Sequence, residues 1–388
     1  MNGSRRPKIA YYSINNPLDK RSWSGTTYYL GQSLQQHIGD IHFLGPVKVP
    51  WILDKTMRGI AKATRLLFKS EWIPKYSLLK NIYATTVLKE KMKGHNYDLL
   101  VAPAAASELA YLKTDLPIIY FGDATYKVYS ETYEKEFKNL NSLSRWEGNH
   151  LETKALQKSS LVVLTSQWAA RSAINDYGTS PDKIVVMPLG ANIDLVPDKS
   201  LIYKKEGNKT LTLLFLAVDW DRKGGATSFA TLKALHAAGV PAQLIVCGCV
   251  PPPQFSDPAM EVIPFLNKNE PGDYTKFVDL LSSVHFLLLP TKADCSLLVA
   301  CESNAYGVPA LTTNVGGVPD VVKDGVNGFC LPREAEGIDF ASLIIEIFSD
   351  KGRYHQLIHS SREMFEEKLN WNKWAEQFAQ VLKTRKLI

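Results

Sequence analysis

The sequence predicts an α/β protein made of two doubly wound parallel-sheet domains, and three observations predict it. At 388 residues the chain exceeds what one hydrophobic core usually serves, because cores stop growing at roughly 250–300 residues. Short apolar runs bounded by turn residues alternate with helical patterns, as βαβ units around a parallel sheet require. The runs are apolar on both faces, which suits strands covered by helices on both sides.

In chain order, the first-half strands are expected in KIAYYSI, IHFLGPV, YDLLVAP, PIIYFGD, SLVVLTS and KIVVMPLGAN. A polar stretch, DKSLIYKKEGNKT, then marks a linker near residues 195–210. The second series is LTLLFLAV, AQLIVCG, MEVIPFL, HFLLLPT and PALTTN, with helices in GATSFATLKALHAAG and YTKFVDLLSSV. The expected domains are residues 1–198 and 199–370. WNKWAEQFAQVLKTRKL, within residues 371–388, reads as a final helix packing back toward the first domain.

Bulk composition is that of a folded globular chain, 45% hydrophobic and 22% charged. The net charge of +6 fits an enzyme that handles phosphates, but it is too small and dispersed for nucleic acid. All five cysteines fall in the second half without a CxxC pair, against a disulfide framework or a zinc site. The expected compartment is a reducing cytoplasm. Ile9-Ala10-Tyr11-Tyr12 reads as a first strand, not a secretory segment, and no stretch approaches the ~18–20 apolar residues of a spanning helix. None of the eight histidines has metal-ligand spacing.

The stretch LPTKADCSLLVACESNAYGVPALTTNVGGVPDVVKDGVNGF places Asp294 and Glu302 on either side of seven mostly apolar or small residues. HFLLLP is a strand, and a helix is expected from about Leu297 to Tyr306. Ligands of parallel sheets sit beyond the C-terminal strand ends, where helices begin. The amides of Cys295, Ser296, Leu297 and Leu298 are then the unpaired donors of a helix start, suited to a diphosphate. Asp294 can point into that opening, with Glu302 two turns on along the same side. Taken alone, the acids read equally well as an N-cap and a solvated helix residue. Gly316-Gly317 adds a tight turn allowing close backbone approach.

Asp221-Arg222-Lys223-Gly224-Gly225 lies between a strand and a helix, where cations and helix-start amides can meet an anion. Ser24-Gly25-Thr26 opens a helix after the first strand, with Ser24 as N-cap the simpler reading. Gly122-Asp123-Ala124-Thr125 follows another first-half strand, where Asp123 either faces a ligand or caps the next helix. In residues 51–69, Lys55, Arg58, Lys62, Arg65 and Lys69 step by three and four and form one basic stripe. That helix is either core-packed with a solvated basic face or an interfacial helix touching anionic lipid or an acidic acceptor.

The Asp294-to-Glu302 spacing, followed by Gly307, Pro309 and GGVPD, resembles the retaining nucleotide-sugar glycosyltransferases of family four. Their GT-B fold sets two Rossmann-like domains facing across a cleft, here an N-terminal acceptor domain and a C-terminal donor domain. The likeness runs from WSGTTYYLG to the last helix. It implies that Asp294, in place of the more usual Glu, contacts donor sugar hydroxyls and stabilises positive charge at the anomeric carbon. It implies that Glu302 binds the nucleotide ribose and that Lys223 binds the diphosphate. The family's diphosphate-binding Arg falls at Val218, so Arg222 is the substitute.

Gly25 matches a Gly-rich loop near the donor phosphate. Asp123 stands where many relatives carry a sugar-contacting His, and is read as a polar group facing the sugar or the acceptor hydroxyl. VIPFLNK, residues 262–268, lines the base pocket by analogy. The implied donor is a UDP- or GDP-linked sugar, with retention, no metal and no cofactor. The acceptor is a glycan, a lipid or a small molecule, and a peripheral contact at the inner membrane face is the expectation attached to residues 51–69. A same-fold sugar-nucleotide epimerase, a phosphorylase or a catalytically inactive glycan-binding relative are the alternatives. None of these calls for the acid spacing and GGVPD together except the inactive relative.

Overall fold

A computed structural model describes residues 5–202 and 210–388. The first half supplies β1 (Lys8–Tyr11), β2 (Asp40–Phe43), β3 (Leu99–Pro103), β4 (Ile118–Gly122), β5 (Leu161–Leu164) and β6 (Ile184–Val186). They form one sheet in the order β2-β1-β3-β4-β5-β6, with parallel pairings such as Ile9 opposite Leu99 and Tyr120 opposite Val162. Strands β3, β4 and β5 are buried along their whole length. Helices on both faces account for the unbroken apolar runs.

The second half repeats the plan with β7 (Leu211–Leu216), β8 (Ala242–Cys247), β9 (Met260–Ile263), β10 (Phe286–Leu289), β11 (Ala310–Thr313) and β12 (Gly328–Leu331). Their order is β12-β11-β10-β7-β8-β9, also parallel. Eleven of these twelve strands fall in the runs expected from sequence. The twelfth, Gly-Phe-Cys-Leu, is a correction. Its residues beyond Gly328 are only half-buried, so this edge strand lacks the long apolar run that signals its neighbours.

The chain divides into two units, Met1–Met187 with Ala375–Ile388, and Pro188–Trp374. The last helix, Trp371–Thr384, thus begins in the second unit and ends in the first. Within the expected linker, the amides of Asp194 and Leu195 donate to the Tyr274 hydroxyl, at 2.7 and 3.1 Å. Lys199–Ile202 forms a short helix. Residues 203–209 of that linker lie outside the described residues.

Residues Trp51–Phe68 form the expected basic helix, but the core-packed reading of it does not hold. Met57 is its buried residue, held where the Ser77 hydroxyl meets its Sδ at 3.7 Å. Leu66, Leu67 and Phe68 remain 70%, 75% and 73% exposed. The first unit's sheet is already covered by other helices, so this one docks along a single narrow line.

Candidate functional site

In the second sheet, β7 sends its chain toward β8 on one side, while β10 lies on the other. This is the topological switch point of the sheet, where loops leaving two adjacent strands part and open a crevice. The loop after β7 carries Arg222 and Lys223, and the loop after β10 carries Asp294. The two loops are bolted together. Lys292 N donates to Arg222 O at 2.8 Å, and the Arg222 guanidinium donates to Ala293 O at 2.9 Å. Gly224, in a left-handed conformation, lies against Pro290, whose carbonyl oxygen would be 1.9 Å from any Cβ placed there. Only glycine permits that approach.

The Lys223 ammonium pairs with Asp294 Oδ2, and both side chains are largely buried. Burial pushes the Asp294 carboxyl up. The Lys223 charge and hydrogen bond, then Arg222 and the Leu297 amide, outweigh burial and hold it below its ordinary value. Asp294 is therefore a carboxylate at neutral pH. The Gly-Gly turn performs the close approach expected of it: Gly317 N donates to Asp294 O at 3.3 Å. A Cβ on Gly316 would fall 2.0 Å from that same oxygen.

The expected set of unpaired helix-start amides needs correction. Asp294 Oδ1 already accepts from Ser296 N at 3.3 Å and Leu297 N at 3.2 Å. A short Asp side chain folds back onto the amides two and three residues on, as N-caps do. Leu297, at φ 38, is the left-handed residue that precedes the helix Leu298–Ala305. Cys295 and Leu297 are buried. The amides of Leu298 and Val299 are the first-turn donors that no preceding helical carbonyl serves. Asp294 thus fixes the turn that leads into the helix, whose cap position is Leu297 with no side-chain cap, and is at the same time the ion-pair partner of Lys223.

Glu302, on the same helix, is 4% exposed. Lys268 Nζ donates to its Oε1 at 2.6 Å and to Asn192 O at 3.3 Å, and stands over the Phe277 ring at 4.2 Å. Burial raises the Glu302 carboxyl, with Lys268 opposing that rise by charge and by hydrogen bond. The structure therefore builds two buried carboxylate–ammonium pairs, Lys223 with Asp294 in the loop before this helix and Lys268 with Glu302 on it. Sequence reading placed residues 262–268 near the base through the backbone and missed the Lys268 side chain. An isolated lysine in a polar loop gives no pattern to find it by. Val218, at the family's Arg position, is exposed, whereas Arg222 is tied to the Asp294 loop.

In the first unit, β1 is flanked by β2 and β3, and the loops beyond the strand ends hold Trp23, Gly25 and Asp123. Trp23 and Ser24 adopt left-handed φ values of 48° and 55° before Gly25, which opens the helix Thr26–His37. Gly25, not Ser24, is the residue at the cap position, and no side chain caps this helix. Asp123 Oδ2 accepts from the Trp23 indole N–H at 3.0 Å, and the Trp23 ring stands edge-on to Phe121. Asp123 does not take the cap position either, since Thr125 precedes the helix Tyr126–Thr132. Two non-glycine residues in a sparsely populated conformation in one loop are costly, at roughly 1–3 kcal/mol each. Trp23 went unassigned in the sequence, where it reads as one aromatic in a loop.

Among the described residues, no group of three or more His, Cys, Asp or Glu is placed to hold a metal ion. None of their helices is long and apolar enough to cross a membrane.

Comparison with known proteins follows the same division of the chain. Residues 207–364 match the family model "Glycosyl transferases group 1", and residues 27–195 match "Glycosyltransferase Family 4". Glycogen synthase of Mycobacterium tuberculosis is 29% identical over 110 residues, which is 28% of this chain and 26% of that protein. The match thus spans about a quarter of the relative's length. D-inositol 3-phosphate glycosyltransferase of Corynebacterium aurimucosum is 24% identical over 52% of each chain. Among solved structures, sucrose-phosphate synthase of Thermosynechococcus elongatus superposes with a TM-score of 0.69 at 15% identity, covering 98% of this chain and 99% of that one. HepE of Anabaena, solved with UDP and glucose, gives 0.65 at 15% identity over 97% and 100%. Likeness at this identity establishes the fold.

Proposed function

Given that this chain belongs to the family-four glycosyltransferases of GT-B fold, transferases of EC 2.4 type, we propose that it moves a sugar from a nucleoside diphosphate sugar to an acceptor hydroxyl. The observation that carries the reading is the Lys223–Asp294 pair at the switch point of the second sheet. A sugar diphosphate needs a cation for its leaving oxygens and an anion near the carbon that becomes electron-poor. Those two charges stand side by side here. A same-fold protein solved with UDP and glucose supports the donor class.

In this mechanism the Lys223 ammonium, with Arg222 beside it, takes up the charge that grows on the diphosphate as the glycosidic bond breaks. Asp294, ionised at neutral pH, accepts hydrogen bonds from the sugar and offsets the oxocarbenium-like charge, the electronic problem that glycosidases meet with two carboxylates. Leu298 and Val299 at the helix mouth offer amides to the same anion. Glu302 accepts from the ribose hydroxyls. Asp123 orients the acceptor hydroxyl and is itself positioned by Trp23, which stands in the strained loop that ends at Gly25. Lys223 and Arg222 supply the charge that a divalent ion would otherwise bring, and the reaction is proposed to need no metal. Retention of configuration is proposed on the family likeness.

The same reading places the enzyme in the cytoplasm, where five free cysteines are stable. It gives residues 51–69 a peripheral contact at the inner membrane face. A thermal-shift screen of UDP-, GDP- and ADP-sugars tests the donor. A ligand at 100 times its Kd stabilises the native state by about 2.7 kcal/mol. One nucleotide class should raise the melting temperature, and that donor should then release nucleoside diphosphate slowly without acceptor. No shift with any nucleotide sugar refutes the proposal. A shift without release identifies the inactive, glycan-binding alternative.

A further inference from the structure

We propose that the helix Trp51–Phe68 lies in the surface of an anionic bilayer with a defined arc inserted, flanked by a rail of basic side chains at the headgroups. This rests on the reading of residues 51–69 as a membrane contact and deepens it by naming the inserted face and the lipid charge.

Three arcs follow from stepping about 100° per residue around the helix. Leu53, Met57, Ala61 and Thr64 occupy the arc turned to the protein, where Met57 is 2% exposed. Lys55, Arg58, Lys62 and Arg65 fill the next arc. Ile52, Ile60, Leu66 and Leu67 share the third, together with the small residues Thr56, Gly59 and Ala63. These four apolar side chains are all exposed, Ile52 at 62%. Adjacent large apolar residues on a single exposed helix face mark a contact surface, since isolated ones are what a solvated surface carries.

The helix is tied to its unit near both ends. Asp54 pairs within the helix with Arg58 and, at 3.8 Å, with Lys80 outside it, and Arg65 pairs with Glu71 at 3.7 Å. Beyond the helix, Glu71 N donates to Asn139 O at 2.8 Å, and the Trp72 indole donates to Glu147 at 2.8 Å. The apolar arc is therefore presented, not left by fraying.

Charge selects the occupant. Residues 51–69 hold five basic residues and one acid. Among the described residues, Lys62 and Lys69 have no carboxylate partner. A second copy docking through the same face in a twofold contact would bring two basic rails together. An anionic leaflet instead draws the rail to its headgroups, where long cationic stems reach polar water while the neighbouring arc enters the acyl boundary. Trp51, exposed at the helix start with Lys55 over its ring at 5.7 Å, is of the type enriched at that depth.

The experiment is co-sedimentation of the full chain, without donor, on phosphatidylcholine vesicles with and without 30% phosphatidylglycerol, at low and high salt. Binding is expected on the anionic vesicles alone and should weaken with salt. Lys55→Ser, Lys62→Ser and Arg65→Ser together should lower partitioning on the order of 100-fold, at about tenfold or less per charge. Leu66→Ser with Leu67→Ser should lower it at least ~10-fold. Ile338→Ser, an exposed apolar site in the second unit, should bind as the parent does, and unchanged circular dichroism shows that each variant folds. Parent and both variants binding alike overturns this helix as the docking element while leaving a membrane contact elsewhere. No binding by the parent overturns the membrane contact itself. A parent that is dimeric in solution, made monomeric by the double serine change, overturns it in favour of a self-interface. Because no donor is present, none of these outcomes bears on sugar transfer.

Discussion

Lys268 and Glu302 meet at 2.6 Å in the second unit, with side chains only 16% and 5% exposed. Breaking a buried pair by removing one partner costs about 3–5 kcal/mol, because the remaining charge is left without compensation. In Lys268→Met, Glu302 stays buried and its carboxyl moves further above its ordinary 4.5. A raised carboxyl favours the folded state in acid, and that advantage is lost as the pH climbs through the folded value. The melting-temperature gap between parent and variant should therefore widen from pH 5 to pH 8. Equal gaps at the two pH values would contradict the pairing.

Asp294→Asn separates the two tasks of Asp294. An amide oxygen can still accept from Ser296 and Leu297, so the turn before the helix survives, while Asp294→Ala also loses those two hydrogen bonds, at about 0.5–1.5 kcal/mol each. Turnover should fall at least ~100-fold in both. The parent carboxyl, held below 3.8, contributes stability above that value and loses it as the pH falls toward the lowered one. Acid melts should therefore show a shallower decline below pH 4 in Asp294→Asn. An unchanged acid limb would show that Lys223 does not hold this carboxyl ionised.

Lys223→Ala should cut nucleoside diphosphate release at least ~100-fold with the donor found by thermal shift. Steady-state assays of release test it. Turnover near the parent's removes Lys223 from the leaving-group site.

Asp123→Asn retains an acceptor for the Trp23 indole yet loses the carboxylate. Transfer to acceptor should drop ~100-fold or more, while slow donor hydrolysis is much less affected. Trp23→Phe removes the indole donor from a charged acceptor, a hydrogen bond worth about 1.5–3 kcal/mol, and should lower transfer through Asp123 alone. Comparing transfer with hydrolysis in each variant decides it. Equal losses in both reactions would assign Asp123 to the donor.

Much of the fold was legible because its signals are local. Eleven strands announced themselves as short apolar runs between turn residues, and the paired acids with GGVPD marked the loop that carries Asp294. Gly316 was recognisable as a position of close approach from its neighbours in sequence. β12 was not legible, because a four-residue edge strand with one buried residue leaves no periodic trace. The basic stripe of residues 51–69 was plain from spacing. The fate of its apolar residues was not, since a helical pattern states which residues share a face but not what covers that face.

The sequence by itself determined the fold class, the two-part organisation and the identity of the charged loops, because apolar period and turn residues act over a few neighbours. Only the tertiary structure decided which charges meet. Lys223 and Asp294 are 71 residues apart and Lys268 and Glu302 are 34. Their pairing depends on strand order, which places β10 beside β7, and strand order is set by packing across the whole sheet, where no local pattern reaches.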